Sequence, residues 1–148
     1  MPEVILALTP ADNLWQPVAE YARACSWRAG PLLANRMDRQ DFLPWERVFV
    51  AVDGNVLCGY CTLTATDCLP DVDYTPWASS VFVGEPHRGH RLSQRLLAAA
   101  LAHARSLGFA TVYLVSGEQG LYEKYGFRKL EEHMAPWGQM QQVFAIDL

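Results

Sequence analysis

Several things are missing from this 148-residue sequence, and each absence removes a class of function. No apolar run approaches the ~20 residues that span a bilayer, and the opening Met1-Pro2-Glu3-Val4 has neither a basic stretch nor a following apolar one. No membrane partner and no secretory leader are therefore expected. Positive charge is not in excess: 12 Lys and Arg stand against 16 Asp and Glu, a formal net charge of −4. A nucleic-acid partner would call for a basic face that this composition does not supply. Neither G-x-x-x-x-G-K-[ST] nor G-x-G-x-x-G occurs, so two common phosphate-binding loops are excluded. Repeats, low-complexity tracts and interdomain linkers are absent. Cysteine is sparse, with one C-x-x-C pair, Cys58 and Cys61, in a strand-like run where positions three apart point to opposite faces. No second pair or matching His pair exists, so no metal centre and no disulfide is expected. Free thiols at Cys25, Cys58, Cys61 and Cys68 fit a reducing, cytoplasmic compartment.

What is present is one ordinary domain over residues 1–148, with 51% apolar and 19% charged residues, enough for a real core. Residues 4–8 read as a strand. Thr9 and Pro10 read as the N-cap and first position of a helix running to about Trp27, with Leu14, Val18, Tyr21, Ala22 and Cys25 on one face. Gly30-Pro31 reads as a break before a second, short helix from Leu32 to Asp38. Arg47 to Val52 and Val56 to Thr66 are β-rich runs joined by Asp53-Gly54-Asn55, a hairpin signal. An acidic loop with Asp67, Asp71 and Asp73 leads into a strand ending at Val83, which Pro76, Ala78, Ser79 and Ser80 mark as irregular. Leu92 to Leu107 is helical, closed by Gly108, and Ala110 to Val115 is an apolar strand completing a β-α-β crossover. Ser116 reads as the cap of a short helix through Lys124, stopped by Gly126. Phe127 to Glu132 and Gln142 to Leu148 are the last strands, the final one placed either within the sheet or at a dimer edge. This order describes an α/β domain around one mixed sheet.

The stretch from Val81 to Leu97 carries the chemistry. A strand runs into a turn at Gly84 and Pro86, then a basic loop, then a helix N-terminus, whose first N–H groups lack intrahelical acceptors and carry partial positive charge. Gly89 allows close backbone approach, Ser93 adds a hydroxyl, and His87, Arg88, His90 and Arg91 surround the loop with donors. Within an acidic chain, this local basic cluster points to a small anionic ligand.

Arg88-Gly89-His90-Arg91-Leu92-Ser93 resembles the R-G-x-G-x-G/A pyrophosphate loop of the GCN5-related N-acetyltransferase (GNAT) family. Gly120-Leu121-Tyr122-Glu123-Lys124-Tyr125-Gly126-Phe127 is similar to the same family's L-Y-x-K-x-G-F segment, in the expected order. The resemblance covers nearly the whole chain. It departs at Arg91, where the family has its second Gly, and at Ser93, where it has Gly or Ala. If position 91 needs positive φ, Arg costs roughly 1 kcal/mol more than Gly, which a guanidinium–phosphate contact would offset.

The resemblance implies a GNAT-type fold: about seven strands in a mixed, mostly antiparallel, twisted sheet with splayed fourth and fifth strands, flanked by about four helices. It implies acetyl-CoA as co-substrate, lying in the wedge between those strands. Pantetheine would pair with the backbone of Val81, Phe82 and Val83, and pyrophosphate would sit on Arg88, Gly89, His90, Arg91, Leu92 and Ser93. An N–H near Val83 would polarise the thioester carbonyl, and Tyr122 would donate its phenol proton to the departing sulfur. Glu85, Asp73, Asp71 and Glu46 are candidates for a base, Glu85 foremost, although a bulk-water route dispenses with any of them. Trp27, Leu33, Arg36 and Met37, with Asp73, are candidates for the acceptor side. The implied reaction is direct acetyl transfer to a primary amine of a small molecule or peptide, by a monomer or homodimer. The alternative is a non-catalytic acyl-CoA-binding domain with a drifted site, and an unrelated nucleotide-binding α/β module stands further off. The acids at 67, 71 and 73 favour a cationic amine such as a polyamine, an aminoglycoside or a lysine side chain.

Overall fold

A computed structural model describes residues 3–27, 29–69 and 72–148. Among these residues seven strands form one sheet: β1 (Val4–Leu8), β2 (Arg47–Asp53), β3 (Val56–Thr64), β4 (Trp77–Val83), β5 (Thr111–Ser116), β6 (Arg128–Met134) and β7 (Met140–Asp147). Four helices flank it: α1 (Trp15–Ala24), α2 (Gly30–Asp38), α3 (Leu92–Ser106) and α4 (Leu121–Lys124). The spatial order is β1-β2-β3-β4-β5-β7-β6, and every neighbouring pair is antiparallel except β4 with β5. This is the mixed sheet with about four helices that the sequence predicts.

Each face of the sheet has its own core. Beneath α3 lie Phe49, Leu63, Val112 and Phe144, met by Leu96, Leu97 and Ala100 from the helix. Leu96 is fully buried, a contribution of about 1.5–3 kcal/mol for a side chain of that size. On the other face α1 and α2 cover Val48, Val50 and Tyr60 with Trp15, Val18, Leu33 and Met37. The helices α1 and α2 meet closely at Gly30, where a Cβ would stand 2.2 Å from the carbonyl oxygen of Ala22 and 2.5 Å from the Cys25 sulfur. Only the absence of a side chain allows that approach.

Several element ends differ from the sequence expectation, each for a local reason. The first helix begins at Trp15, not at Pro10. Had it begun at Pro10, Pro17 would fall in its interior, removing a hydrogen bond and clashing with the preceding turn; starting at Trp15 puts Pro17 in the first turn, where its missing N–H is not needed. Residues 9–14 instead form tight turns around Asp12, whose carboxylate accepts from the Thr9 N–H at 2.7 Å and hydroxyl at 3.2 Å. Helix α1 also ends at Ala24, three residues before Trp27, and α2 starts at Gly30 with Pro31 inside its first turn, so Gly30-Pro31 opens that helix. The Ser116 hydroxyl accepts from the Glu118 N–H at 3.0 Å, but the helix waits until Leu121 because Gly120 is left-handed at φ 85°. Strand β7 lies inside the sheet, between β5 and β6. Its Val143-Phe144-Ala145 run is buried on both faces, while β6 forms the edge with mostly exposed residues. Cys58 and Cys61 both fall in the core beneath α3, because a register shift opposite Ala51 and Val52 breaks the alternation of β3. All four cysteines are free thiols.

Two ionic ties fasten the ends of this scaffold. Arg95 of α3 reaches Glu3 ahead of β1 at 2.9 Å. Glu46 is buried and accepts from the Leu43 N–H at 2.6 Å, the Ala65 N–H at 2.6 Å and the Arg36 guanidinium at 3.2 and 3.3 Å. It is a fastening between the α2–β2 segment and the end of β3.

Candidate functional site

The site is an opening that the sheet itself makes. β4 and β5 pair in parallel through one register pair, Trp77 with Tyr113, and then part. What forces them apart is an irregularity in β4. Tyr60 pairs with Phe82 and Thr62 with Ser79, so Cys61 faces both Ser80 and Val81, and Ser80 takes φ 54°. That extra residue bends β4 away from β5. Small serines allow the bend, which the Ala78-Ser79-Ser80 run signals in the sequence.

Beyond the divergence, the 3₁₀ turn Glu85–His87 leads into the loop and α3. Gly89 lies at φ 96° and Arg91 at φ 63°, ψ 27°, so the position where Arg replaces the family's second glycine does require the left-handed region. Arg91 is the residue preceding α3, and the free N–H groups of that helix open onto the same cleft. The Ser93 hydroxyl lies 3.0 Å from the Tyr125 hydroxyl, joining the start of α3 to the end of α4. Arg88 donates its Nε to the Val83 carbonyl at 2.8 Å and holds its guanidinium 5.8 Å from the centre of the Phe82 ring.

Two cavities meet at this opening. The narrower, ≈ 740 Å³, is walled by Val81–Val83 on one side, by Arg88, Gly89 and Arg91–Ser93 at its floor, and by Leu121, Tyr122 and Tyr125 opposite. The wider, ≈ 1190 Å³, is walled by Leu33 and Arg36 of α2, by Thr62, Thr64, Asp67, Ser79 and Ser80, and by Gln139 and Gln141 of the last hairpin. Trp27, Val81, Glu118 and Tyr122 line both.

The residues anticipated from sequence separate accordingly. Val81, Phe82, Val83, Arg88, Gly89, Arg91, Leu92 and Ser93 all lie on the narrow cavity. Leu92 is core-buried, and the Phe82 ring stacks with Trp27 at 6.3 Å and Tyr60 at 5.4 Å, so what these two present to the cavity is chiefly backbone. His90 is exposed and lines neither cavity. Trp27 stands at the junction. Met37 is fully buried in the α1–α2 core, away from both walls. Glu85 and Asp73 are exposed and line neither cavity. Glu46 has its carboxylate committed to two backbone N–H groups and Arg36. Asp71 lies outside the described residues.

Tyr122 is 8% exposed, its ring set edge-on to Tyr125 and Phe127 and tilted against Phe144. Burial first, and the nearby Glu118 charge second, push its phenol up to about 12, with a hydrogen bond to Ser116 opposing them. The phenol is a proton donor throughout the neutral range.

Along the sequence Asp67 is one of three loop acids, with nothing local to set it apart. The fold does so. It lines the wider cavity half-buried, its carboxylate accepting from the Ser79 hydroxyl and from the Cys68 N–H at 2.6 Å. Burial raises its carboxyl above the usual range, against those donors and the more distant Arg36 charge. Gln139 and Gln141 were equally invisible, since only the insertion of β7 between β5 and β6 brings their hairpin to the cleft.

A strand splayed from its parallel neighbour, with a helix N-terminus and a glycine-containing basic loop beneath the gap, defines an acyltransferase-type architecture. The acetyltransferase (GNAT) domain family matches residues 44–129, and the chain belongs to that family. Among solved structures it is similar to aminoglycoside 6′-acetyltransferase type Ii, at 17% identity and TM-score 0.76 over 97% of this chain and 96% of that one. It is similar at 16% identity and TM-score 0.65, over 99% of both chains, to a GNAT family acetyltransferase from Elizabethkingia anophelis with acetyl-CoA bound. A chain of the NatC complex bound to Gag peptide and CoA matches at 15% identity and TM-score 0.71, over 100% of this chain and 99% of that one. At such identities these likenesses speak for the fold. No curated protein matches the chain.

Proposed function

We propose that this protein transfers the acetyl group of acetyl-CoA to a primary amine by direct attack in a ternary complex. The observation that carries the reading is the position of Tyr122, a buried and protonated phenol where the two cavities join. In this reading the narrow cavity takes the coenzyme. Its pantetheine amides pair with the backbone of Val81–Val83, and its pyrophosphate lies on residues 88–93, where the N–H groups of α3, the left-handed Gly89 and Arg91, and the Arg91 guanidinium converge. An N–H of the bent β4, near Val83, takes the charge that grows on the thioester oxygen, a role worth about 10²–10³ in rate in comparable oxyanion sites. Tyr122 gives its proton to the departing sulfur, and Trp27 forms the boundary at which the acetyl group passes to the acceptor side.

The Arg91 and Ser93 departures do not dismantle the loop. Arg91 takes the left-handed conformation a glycine would take, and Ser93 gains a partner in Tyr125. This favours a working site over a drifted, purely binding one. The acceptor is read as a small amine or peptide amine entering the wider cavity, the protein acting as a monomer or homodimer in the cytoplasm, where four free thiols would be kept reduced.

Calorimetric titration with acetyl-CoA and with CoA tests the first half. A panel comprising a polyamine, an aminoglycoside, free lysine and a lysine-containing peptide, followed by thiol release, tests the second. Micromolar binding with thiol release supports the enzyme; binding without release from any amine supports the non-catalytic alternative; no binding refutes both.

A further inference from the structure

We propose that Asp67 is the group that receives the acceptor's ammonium and removes its proton. The inference rests on the acetyltransferase reading above and assigns a step that Glu85, Asp73 and Glu46 do not serve, the first two lining neither cavity and the third being committed to Arg36 and two backbone N–H groups.

Two carboxylates line the wider cavity among the described residues, Asp67 and Glu118. Glu118 is exposed on the loop before α4 and has no side-chain hydrogen bond or ion pair among the described residues that would fix its position. Asp67 is fixed. Ser79 on β4 donates to its Oδ2 and the Cys68 N–H to its Oδ1, which holds the carboxylate plane against the strand that carries Ser80 and Val81. Ser79 is held in turn, since its carbonyl accepts from the Thr62 hydroxyl at 3.2 Å. The Cys68 side chain is a third donor to this carboxylate, and of the four lone pairs on its two oxygens one is left for a ligand. Partial burial strengthens its attraction to an ammonium and makes it a better base than a solvated aspartate. The groups facing it are Arg36 from α2, Cys68 on its own loop, Ser79 on β4, and Glu118 and Tyr122 across the cavity. Arg36 already has Glu46 as counter-ion, so Asp67 carries the unbalanced negative charge on its wall.

The step balances as follows. The ammonium gives one proton to an Asp67 oxygen, leaving a neutral amine. Its lone pair attacks the thioester carbon, a C–N bond forms, and the C–S bond breaks with its electron pair on sulfur. Tyr122 protonates that sulfur and recovers the second proton leaving the nitrogen, while Asp67 returns the first to solvent through the open cavity. The acceptor is therefore an amine that is cationic at neutral pH, small enough to reach below Trp27, and compatible with walls of Thr62, Thr64, Ser79, Gln139 and Gln141.

The test is the pH profile of kcat/KM for the full chain on the best amine of the panel, for wild type, Asp67→Asn and Ser79→Ala, with acetyl-CoA affinity measured alongside. Wild type should show a plateau bounded on its acid side by Asp67. Asp67→Asn should lose about 10²–10⁴-fold near pH 7. It should regain rate with a slope of one as the amine itself deprotonates, with acetyl-CoA affinity unchanged. Ser79→Ala removes a donor that favours the ionised form, so the acid limb should move up by about half to one pH unit. This variant keeps the test alive should Asp67→Asn fold poorly. A loss that is the same at every pH, an unchanged Asp67→Asn profile, or an acid limb unmoved by Ser79→Ala would overturn the inference while leaving the acetyltransferase reading intact. Wild-type protein that releases no thiol with any amine of the panel overturns both.

Discussion

Replacing Arg91 by glycine perturbs two quantities in opposite directions, and the geometry sets the size of each. Arg91 sits at φ 63°, ψ 27°. A side chain there costs roughly 1–2 kcal/mol relative to glycine, whereas glycine gives back about 0.5–1 kcal/mol through the greater freedom of its unfolded chain. The folded protein should therefore gain up to about 1.5 kcal/mol, a rise in Tm of up to about 6 °C at this chain length. Arg91→Ala is the control, because it removes the same guanidinium yet keeps the strained backbone. The difference in Tm between the two variants isolates the backbone effect from the loss of charge. In binding, both variants should lose the contact with pyrophosphate. Arg91 is exposed, so the contact belongs near the weak end of charge-assisted bonds, about 1–1.5 kcal/mol, or roughly 5- to 15-fold in Kd. Differential scanning calorimetry and isothermal titration with acetyl-CoA at low and moderate salt read both effects. A glycine variant no more stable than the alanine variant would refute the left-handed assignment. Equal acetyl-CoA affinity in wild type and both variants would refute the guanidinium contact.

Tyr122→Phe should lower turnover by about 10²–10⁴-fold with little change in acetyl-CoA affinity. In the wild-type protein the buried phenol should ionise near 12, read from absorbance at alkaline pH against the phenylalanine variant. A phenol raised in the folded state favours the protonated, folded form, so its contribution to stability is complete below the ordinary value of 10.0 and is lost as pH climbs toward about 12. Titration near 10 would sink the burial argument. Gly30→Ala should destabilise by about 1–3 kcal/mol, seen as a lower urea midpoint at unchanged m, since the added methyl meets the Ala22 carbonyl at 2.2 Å; an unchanged midpoint would show that α1 and α2 can part freely. In a double-mutant cycle of Ser93→Ala with Tyr125→Phe, the two hydroxyls should couple by about 0.5–1.5 kcal/mol, and additive effects would mean that they do not bond.

Much of this protein could be read along the chain. The loop at 88–93 and the Tyr122 segment are contiguous motifs, and the chemistry they signal, a glycine-permitted loop over free helix N–H groups, is fixed within a dozen residues. The same holds for α3, where Leu96, Ala100 and Ala104 recur at helical spacing, and for the β2–β3 hairpin with its Asp53-Gly54-Asn55 turn. Positive φ at Arg91 entered the sequence reading only as a condition, and the folded chain meets it at φ 63°.

Tertiary structure decided what depends on residues far apart in sequence. The late start of helix α1 is the exception, a local matter that periodicity does not weigh: Asp12 closes its own turn and Pro17 excludes an earlier start. Strand β7 went inside the sheet because a run buried on both faces needs a neighbour on each side, and only the assembled sheet says which. The wall of the wider cavity was the least legible of all. Asp67, Ser79, Arg36 and Gln141 come from four separate elements. Nothing in the sequence distinguished Asp67 from Asp73 or Glu85; desolvation and a donor on the facing strand did, and both exist only once the chain is folded.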